Sequence, residues 1–171
     1  MINIKKLSTS YQTRRLTSKD VDKAFALVQS NPTYFAYCPP QPTRHSMLED
    51  MQVVPANKTN EDKFYLGFFE GTQLIAILDL INQYPDAETG WIGFFMVDAK
   101  YQKKGIGSAI IKEVFLELKA AGLKVIELAY PKGDAQSEHF LLKNNFQKTG
   151  REISVPGYTV VIMNYKLETL S

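Results

Sequence analysis

The stretch VDAKYQKKGIGSAI, residues 97–110, decides how this chain folds. It follows the apolar run GWIGFFMV (90–97) and places two lysines and two glycines directly before a segment with helical periodicity. Residues on one side of that segment recur at the spacing of an amphipathic helix, which Gly122 ends: they are Gly107, Ile110, Ile111, Val114, Phe115 and Leu118. KVIELAY (124–130) follows as a strand. The order strand, glycine loop, helix, strand is a crossover unit, which predicts two parallel strands.

The remaining patterns predict an otherwise antiparallel sheet. Turn residues in EGTQ and NQYPDAET separate three consecutive strands, so these strands are expected to be antiparallel neighbours. The predicted strands are 11–17, 63–69, 74–81 and 90–97, with a closing hairpin of 146–155 and 158–167; the predicted helices are 21–29, 45–54 and 135–145; and 34–42 is predicted as an ordered loop. A mixed, mostly antiparallel sheet with helices on both faces belongs to the α/β (α+β) class.

Composition narrows the class of protein. The chain has 171 residues, 44% of them hydrophobic, so we expect a single domain over residues 1–171. With 20 Lys and Arg against 18 Asp and Glu, the net charge of +2 favours neither nucleic acid nor a membrane surface as partner. Cys38 has no second cysteine to pair with, and no signal or membrane-spanning run is recognisable. The expected location is therefore the cytoplasm.

The glycine loop has the chemistry of an anion site. The first N–H groups of a helix lack partners and carry a partial positive charge, which attracts phosphate. Gly105 and Gly107 would let a diphosphate approach these amides, and Gln102, Lys103 and Lys104 would add donors and charge. Two other nucleotide loops fit less well: a P-loop needs its lysine after the glycine, and the dinucleotide fingerprint needs a third glycine where Ile110 stands. A plain glycine turn into a helix is the structural alternative.

VDAKYQKKGIG (97–107) resembles motif A of the GCN5-related N-acetyltransferase (GNAT) family, and the order of predicted elements resembles that family over nearly the full chain. The resemblance implies the GNAT fold, with a central sheet of about seven strands, and acetyl-coenzyme A or another acyl-coenzyme A as cosubstrate, without a metal. It implies that amides of the loop hold the pyrophosphate and that the end of the fourth strand binds the pantetheine arm. The implied cofactor residues are Phe95, Met96, Val97, Gln102, Lys103, Lys104, Gly105, Ile106, Gly107 and Ser108, with Asp134 and Ser137 at matching positions of the last helix.

The resemblance also implies catalytic roles. The backbone N–H of Val97 would stabilise the oxyanion. The tyrosine with which the family commonly protonates the leaving thiolate is absent, because Leu141 stands at its place. Either the thiolate leaves unprotonated, or Tyr130 or another tyrosine reaches it; the sequence leaves both open.

Two carboxylates are candidates for the base that deprotonates an amine. Asp79 alternates with Ile75, Ile77 and Ile81, so a carboxylate is expected on an apolar strand face, where burial or a cationic partner would change its pKa. Glu88 in the turn before the fourth strand is the second candidate. The structural alternatives are an Asp solvated near a strand end and an exposed turn residue.

The expected reaction is acetyl transfer to a primary amine of an unidentified, small acceptor held by the aromatic residues of the segment 34–42 and by residues near 156–158. A protein amine remains open as acceptor. The alternative is a non-catalytic acyl-coenzyme A-binding sensor or interaction domain. A homodimer is possible, since final strands in this family often pair between subunits.

Overall fold

A computed structural model describes residues 1–170. Its strands are β1 (Gln12–Arg15), β2 (Lys63–Glu70), β3 (Gln73–Ile81), β4 (Thr89–Val97), β5 (Val125–Pro131), β6 (Gln147–Val155) and β7 (Tyr158–Lys166). Its α-helices are α1 (Val21–Gln29), α2 (Pro32–Tyr37), α3 (Arg44–Asp50), α4 (Ile106–Ala120) and α5 (Ala135–Lys143). The strands form one seven-stranded sheet in the order β1-β2-β3-β4-β5-β7-β6. The predicted fold class is confirmed.

The β4 and β5 strands are the parallel pair that the crossover pattern predicts, and the other neighbours are antiparallel. This pairing is short: it runs from Thr89 opposite Val125 to Ile92 opposite Leu128. Beyond these residues β4 continues to Val97 bonded to β3, while β5 continues bonded to β7. The two strands therefore separate, and the sheet contains a gap at the C-terminal end of β4.

Helices cover both faces of the sheet. On one face α4 buries the apolar side predicted from its sequence, with Ile110, Val114, Phe115 and Leu118 at most 1% exposed. On the other face α1 and α3 pack on residues such as Tyr65, Ile77 and Met96. The start of α4 lies at the end of β4 where the gap opens, since a Cβ at Gly107 would be 3.4 Å from Cγ2 of Val97.

Two helix predictions need correction. The segment 34–42 was predicted as a loop, but its first four residues belong to α2 (Pro32–Tyr37). Pro32 fits the first turn of a helix, and the ring of Tyr34 packs edge-on against that of Phe35 at 5.0 Å. The following helix is shorter than 45–54. It begins with a capping box between Thr43 and Ser46 and ends at Asp50, after which the chain turns.

Candidate active site

The loop before α4 presents unpaired backbone amides. In the described part of the chain, no backbone N–H of residues 103–108 donates a hydrogen bond to a side chain or to a backbone carbonyl. Lys103 and Gly105 have φ angles of 61° and 77°, which turn the chain so that these amides follow one another into the helix. A Cβ at Gly105 would meet open space, so the left-handed backbone is what favours glycine there. The loop has the donors of an anion site.

Gly107 has a different role from the one expected. A Cβ at this position would lie 3.2 Å from the Phe140 ring and 3.4 Å from Cγ2 of Val97. The missing side chain therefore lets α4 pack closely against β4 and α5. The amide of Gly107 remains available, but glycine is explained here by packing rather than by clearance for a phosphate.

Gln102 is turned toward the protein interior. Its Nε2 donates to the carbonyl of Val97 at 2.8 Å and to Oδ1 of Asn31 at 2.5 Å. Asn31, between α1 and α2, also donates to the Val97 carbonyl, at 3.1 Å. These contacts tie the α1–α2 junction to the end of β4. Because two amides already use the Val97 carbonyl, the N–H is the main-chain group that Val97 can offer to a ligand.

The pairing of β4 with β3 determines which main-chain groups face the gap. The N–H of Asp98 donates to the carbonyl of Ile75 at 2.9 Å, and Val97 lies opposite Ala76. Since successive residues of a strand direct their N–H and C=O groups to opposite sides, Phe95 and Val97 face the gap.

Met96 does not face the gap. Its main chain faces β3, opposite Ile77, and its side chain is 6% exposed in the core under α1 and α3. Contact between Met96 and the cofactor stays a prediction, and the alternation of the strand turns the main chain of this residue toward β3.

Side chains from β4, β5, α2 and α5 line the gap. The rings of Phe95 and Phe140 stack with centroids 6.1 Å apart. Tyr34, Ser137 and Leu141 lie on the same surface. Asp134 is only 3% exposed and accepts bonds from the N–H and the hydroxyl of Ser137, at 3.4 and 2.5 Å. The Asp134 carboxylate is therefore the N-cap of α5, and Ser137 is the member of this pair that lines the gap.

Two tyrosines lie at the gap where the leaving thiolate is expected. The hydroxyl of Tyr34 lies near Cys38, Tyr158 and Asp134, and burial is the main cause that raises the Tyr34 pKa well above its usual value. Burial also raises the pKa of Tyr130, whose hydroxyl interacts with Glu138 on α5. The Tyr130 hydroxyl is thus directed to the α5 surface, while Tyr34 remains as a neutral hydrogen-bond donor at the gap.

Asp79 lies beside Gly93 of β4, and Gly93 lines the gap. Its side chain is 14% exposed, and Nζ of Lys63, itself 4% exposed, lies 3.0 Å from each carboxylate oxygen. Burial raises the pKa of Asp79, Lys63 opposes that rise, and Asp50 adds to it. A cationic partner was expected for a buried Asp79; the structure identifies it as Lys63, which the sequence analysis had not named.

The structure does not bring Glu88 to the gap. Glu88 precedes Thr89, at the end of β4 that is closed by pairing with β5. Its Oε1 lies 2.6 Å from Nζ of Lys124, and both side chains are exposed. At about 3.3 Å of rise per residue, β4 separates Glu88 from Val97 by roughly 30 Å. A base at Glu88 could not reach an acetyl group held at the other end of the strand.

The comparison with protein families identifies the chain. The family described as "Acetyltransferase (GNAT) family" matches residues 26–146. The chain belongs to the GNAT acetyltransferase family. The match begins within α1 and includes α2, the glycine loop and α5 of this GNAT protein. No curated protein sequence matches the chain.

Solved structures share the fold. An acetyltransferase from Thermus thermophilus is 20% identical, with 92% of this chain and 97% of that chain covered and a TM-score of 0.70. The PaiA N-acetyltransferase from Thermoplasma acidophilum, in complex with coenzyme A, is 19% identical over 92% and 99%, with a TM-score of 0.68. The ribosomal-protein-S5-alanine acetyltransferase from Vibrio fischeri is 20% identical over 96% and 97%, with a TM-score of 0.67.

None of the helices within residues 1–170 is long and apolar enough to cross a membrane. In the same range, no three His, Cys, Asp or Glu side chains are grouped so that they could hold a metal ion.

Proposed function

We propose that this GNAT protein is an N-acetyltransferase that moves an acetyl group from acetyl-coenzyme A directly to a primary amine. One observation carries the proposal: the unpaired amides of residues 103–108 stand at the N-terminus of α4, where β4 and β5 separate. Donors for a diphosphate are thus next to a gap that is faced by the main chain of Phe95 and by the N–H of Val97. The similar structure from Thermoplasma acidophilum, which contains coenzyme A, supports the choice of cofactor.

The residues present fit this cofactor. The pyrophosphate would take the amides from Lys103 to Ser108, with Lys103 and Lys104 as exposed positive charges at the rim. The pantetheine amides would pair with Phe95 and Val97, as an added strand pairs with a sheet edge. When bound, acetyl-coenzyme A supplies the acyl thioester.

Asp79 is the proposed base. An alkylammonium has a pKa near ~10, so a proton must leave the nitrogen before it attacks the thioester. A partly buried carboxylate with a raised pKa takes that proton more readily than an exposed one. The attack develops negative charge on the carbonyl oxygen, and the N–H of Val97 would donate a hydrogen bond to it.

The thiolate leaves without a proton from the usual tyrosine. A thiol has a pKa of about 8.5, below that of any tyrosine whose hydroxyl is buried, so transfer of a proton from Tyr34 to the sulfur would be uphill. Tyr34 would instead donate a hydrogen bond to the departing sulfur. If the thiolate leaves unprotonated, acetyl transfer needs no tyrosine at the position of Leu141.

A matched pair of variants at Ser108 tests the cofactor site. Ser108 is in the first turn of α4, where an added carboxylate favours the helix but repels a phosphate. We expect Ser108→Asp to weaken acetyl-coenzyme A binding at least about tenfold, with an unchanged or higher melting temperature. Calorimetric titration measures the affinity, and Ser108→Ala is the control, expected to bind like the wild type. Equal affinity in a folded Ser108→Asp protein would contradict the phosphate assignment.

We propose that the acceptor is a small amine. A set of probe amines tests this proposal: spermidine, free lysine, an aminoglycoside and an alanine-initiated peptide. Each amine is assayed for thiol release from acetyl-coenzyme A. The peptide is included because one protein of similar structure, from Vibrio fischeri, is a ribosomal-protein-S5-alanine acetyltransferase. Binding of acetyl-coenzyme A without amine-dependent thiol release in a broad set of amines would favour a sensor.

A further inference from the structure

We propose that Gly93 and Lys63 are positioning residues that hold the Asp79 carboxylate across β4 at the mouth of the β4–β5 gap. The proposal rests on the acetyltransferase function proposed above and adds to it: it explains how a residue of β3 can act in a gap that lies beyond β4.

The first step is the backbone of β4. The register between β3 and β4 shifts between Asp79 and Leu80, which pair with Phe94 and Ile92. Gly93 is therefore an extra residue on β4, as in a β-bulge. It lies immediately after Ile92, the last residue of β4 that pairs with β5. The bulge thus coincides with the point at which the two strands separate, and Gly93 lines the gap.

The second step is the missing side chain at Gly93. A Cβ at this position would lie 2.9 Å from Oδ2 of Asp79 and 3.4 Å from its Cγ. The carboxylate therefore occupies the space that any other residue would fill. Gly93 has no left-handed backbone angle that would require glycine. Its close approach to Asp79 is the structural reason for glycine at this position.

The third step is the contact that holds the carboxylate in place. Lys63 lies two residues before Tyr65, the direct partner of Asp79 on β2, and so reaches Asp79 diagonally across the sheet. Nζ of Lys63 is 3.0 Å from both oxygens, yet only its contact with Oδ2 has hydrogen-bond geometry. Among residues 1–170, no donor satisfies the buried Oδ1 by hydrogen-bond geometry. A carboxylate accepts several hydrogen bonds, so Asp79 retains capacity for a proton or an amine.

The groups that face Asp79 determine its pH behaviour. They are Lys63 and Tyr65 from β2 and Asp50 from the end of α3. Burial raises the Asp79 pKa and Asp50 adds to the rise, whereas Lys63 opposes it. Removal of the Lys63 charge must therefore raise the pKa further. Since the base acts in its ionised form, the acid limb of the rate profile would then move to higher pH.

The test uses Gly93→Ala and Lys63→Met, with kcat, the KM values and the pH profile measured by thiol release on any amine of the set that the wild type acetylates. Gly93→Ala should lower kcat by about tenfold or more with little change in the KM for acetyl-coenzyme A, because the methyl group displaces the carboxylate. Lys63→Met should move the acid limb of kcat/KM upward by about one pH unit or more.

Each variant has a matched control. Gly90→Ala adds a methyl group to the same strand at the closed end, where it would meet Leu123 and Ile126 at 3.0 and 3.1 Å but no carboxylate. Lys124→Met breaks the exposed pair with Glu88. Both controls should keep the wild-type kcat and pH profile. A wild-type kcat in Gly93→Ala, or a fall in Gly90→Ala equal to that in Gly93→Ala, overturns the proposal.

One further measurement distinguishes a failure of the Lys63 contact from a failure of the proposed acetyltransferase function. The carboxyl carbon of Asp79 can be titrated by ¹³C NMR without any acceptor. A higher titration midpoint in Lys63→Met supports the positioning contact even if no amine is acetylated, in which case the proposed function fails and the contact stands. An unchanged midpoint with normal acetyl transfer by the wild type overturns the role of Lys63 and leaves the proposed function intact. If Lys63→Met does not fold, Gly93→Ala decides.

Discussion

Asp20 and Asp79 each lie beside one basic residue, yet their pKa values move in opposite directions. Asp20 accepts two hydrogen bonds from the Arg14 guanidinium, at 2.9 and 2.8 Å, and one from the N–H of Thr17 at 2.8 Å. The Arg14 bonds are the largest cause that lowers its pKa to about 2. Asp79 has one hydrogen bond, from Lys63, and burial is the largest cause that raises its pKa.

The two sites show how the number of hydrogen-bond donors determines whether the pKa of a carboxylate falls or rises. A planar guanidinium and a backbone amide fill the acceptor sites of Asp20 and stabilise its charge. A single ammonium leaves Asp79 with desolvation that is not fully compensated. The first arrangement fixes the turn before α1, and the second is suited to proton transfer.

The largest expected effect separates the two residues by activity. Asp79→Asn should lower kcat about 10²- to 10⁴-fold, because an amide cannot accept the proton, while the affinity for acetyl-coenzyme A stays near that of the wild type. Asp20→Asn should leave kcat unchanged. Thiol release with an accepted amine gives kcat, and calorimetry gives the affinity. A wild-type rate and pH profile in Asp79→Asn would remove Asp79 as the base.

The second effect concerns stability, for which Asp20 is expected to matter more than Asp79. Because the pKa of folded Asp20 is depressed, its stabilisation is present above the usual value of 3.8 and is lost as the pH falls toward about 2. Asp20→Asn should lower the free energy of unfolding by about 1 to 2 kcal/mol at neutral pH. In urea titrations the difference in unfolding free energy between Asp20→Asn and the wild type should decrease below pH 3.8 and vanish near pH 2.

Asp22 supplies the control for that experiment. It pairs with Arg44 at 2.8 Å, but its side chain is 79% exposed. Asp22→Asn should give a urea curve close to that of the wild type at every pH. If Asp22→Asn and Asp20→Asn behave alike, the pairing with Arg14 is not what makes Asp20 structural.

The smallest effect is expected at Glu88, which also lies beside a lysine. Glu88 and Lys124 make the shortest of the four contacts, 2.6 Å, but both are exposed at the closed end of β4. Solvent screens such a pair, so distance alone confers neither stability nor reactivity. Glu88→Gln should change neither kcat nor the urea midpoint. A loss of turnover comparable to that of Asp79→Asn would contradict the choice of Asp79 over Glu88 as the base.

Local patterns were sufficient to predict the sheet, the crossover and the glycine loop. The helical period after Gly105 and the turns between the three central strands depend on neighbouring residues, which the sequence displays directly. The prediction of an ordered loop over 34–42 fails only at its start, because α2 runs from Pro32 to Tyr37. The first turn of a helix accepts proline, and the other prolines of this segment lie after the helix ends.

The contacts at the site depend on register, which a single sequence specifies less directly. The sequence shows Lys63 as a polar residue at the start of a predicted strand. Its position diagonal to Asp79 follows from the register between β2 and β3. The bulge at Gly93, the partners of Gln102 and the packing of Phe140 on Gly107 require the assembled fold. Asp79 could be selected from alternation within one strand, whereas its distance from the gap could not.

The most direct test of the central claim is thiol release from acetyl-coenzyme A by the wild type and by Asp79→Asn, with and without each probe amine. We expect the wild type to release thiol in a way that depends on an amine and saturates with it, and Asp79→Asn to release little or none despite equal cofactor binding. Saturable binding of acetyl-coenzyme A with no amine-dependent release by the wild type would contradict it and would indicate a protein that binds the cofactor without transferring the acetyl group.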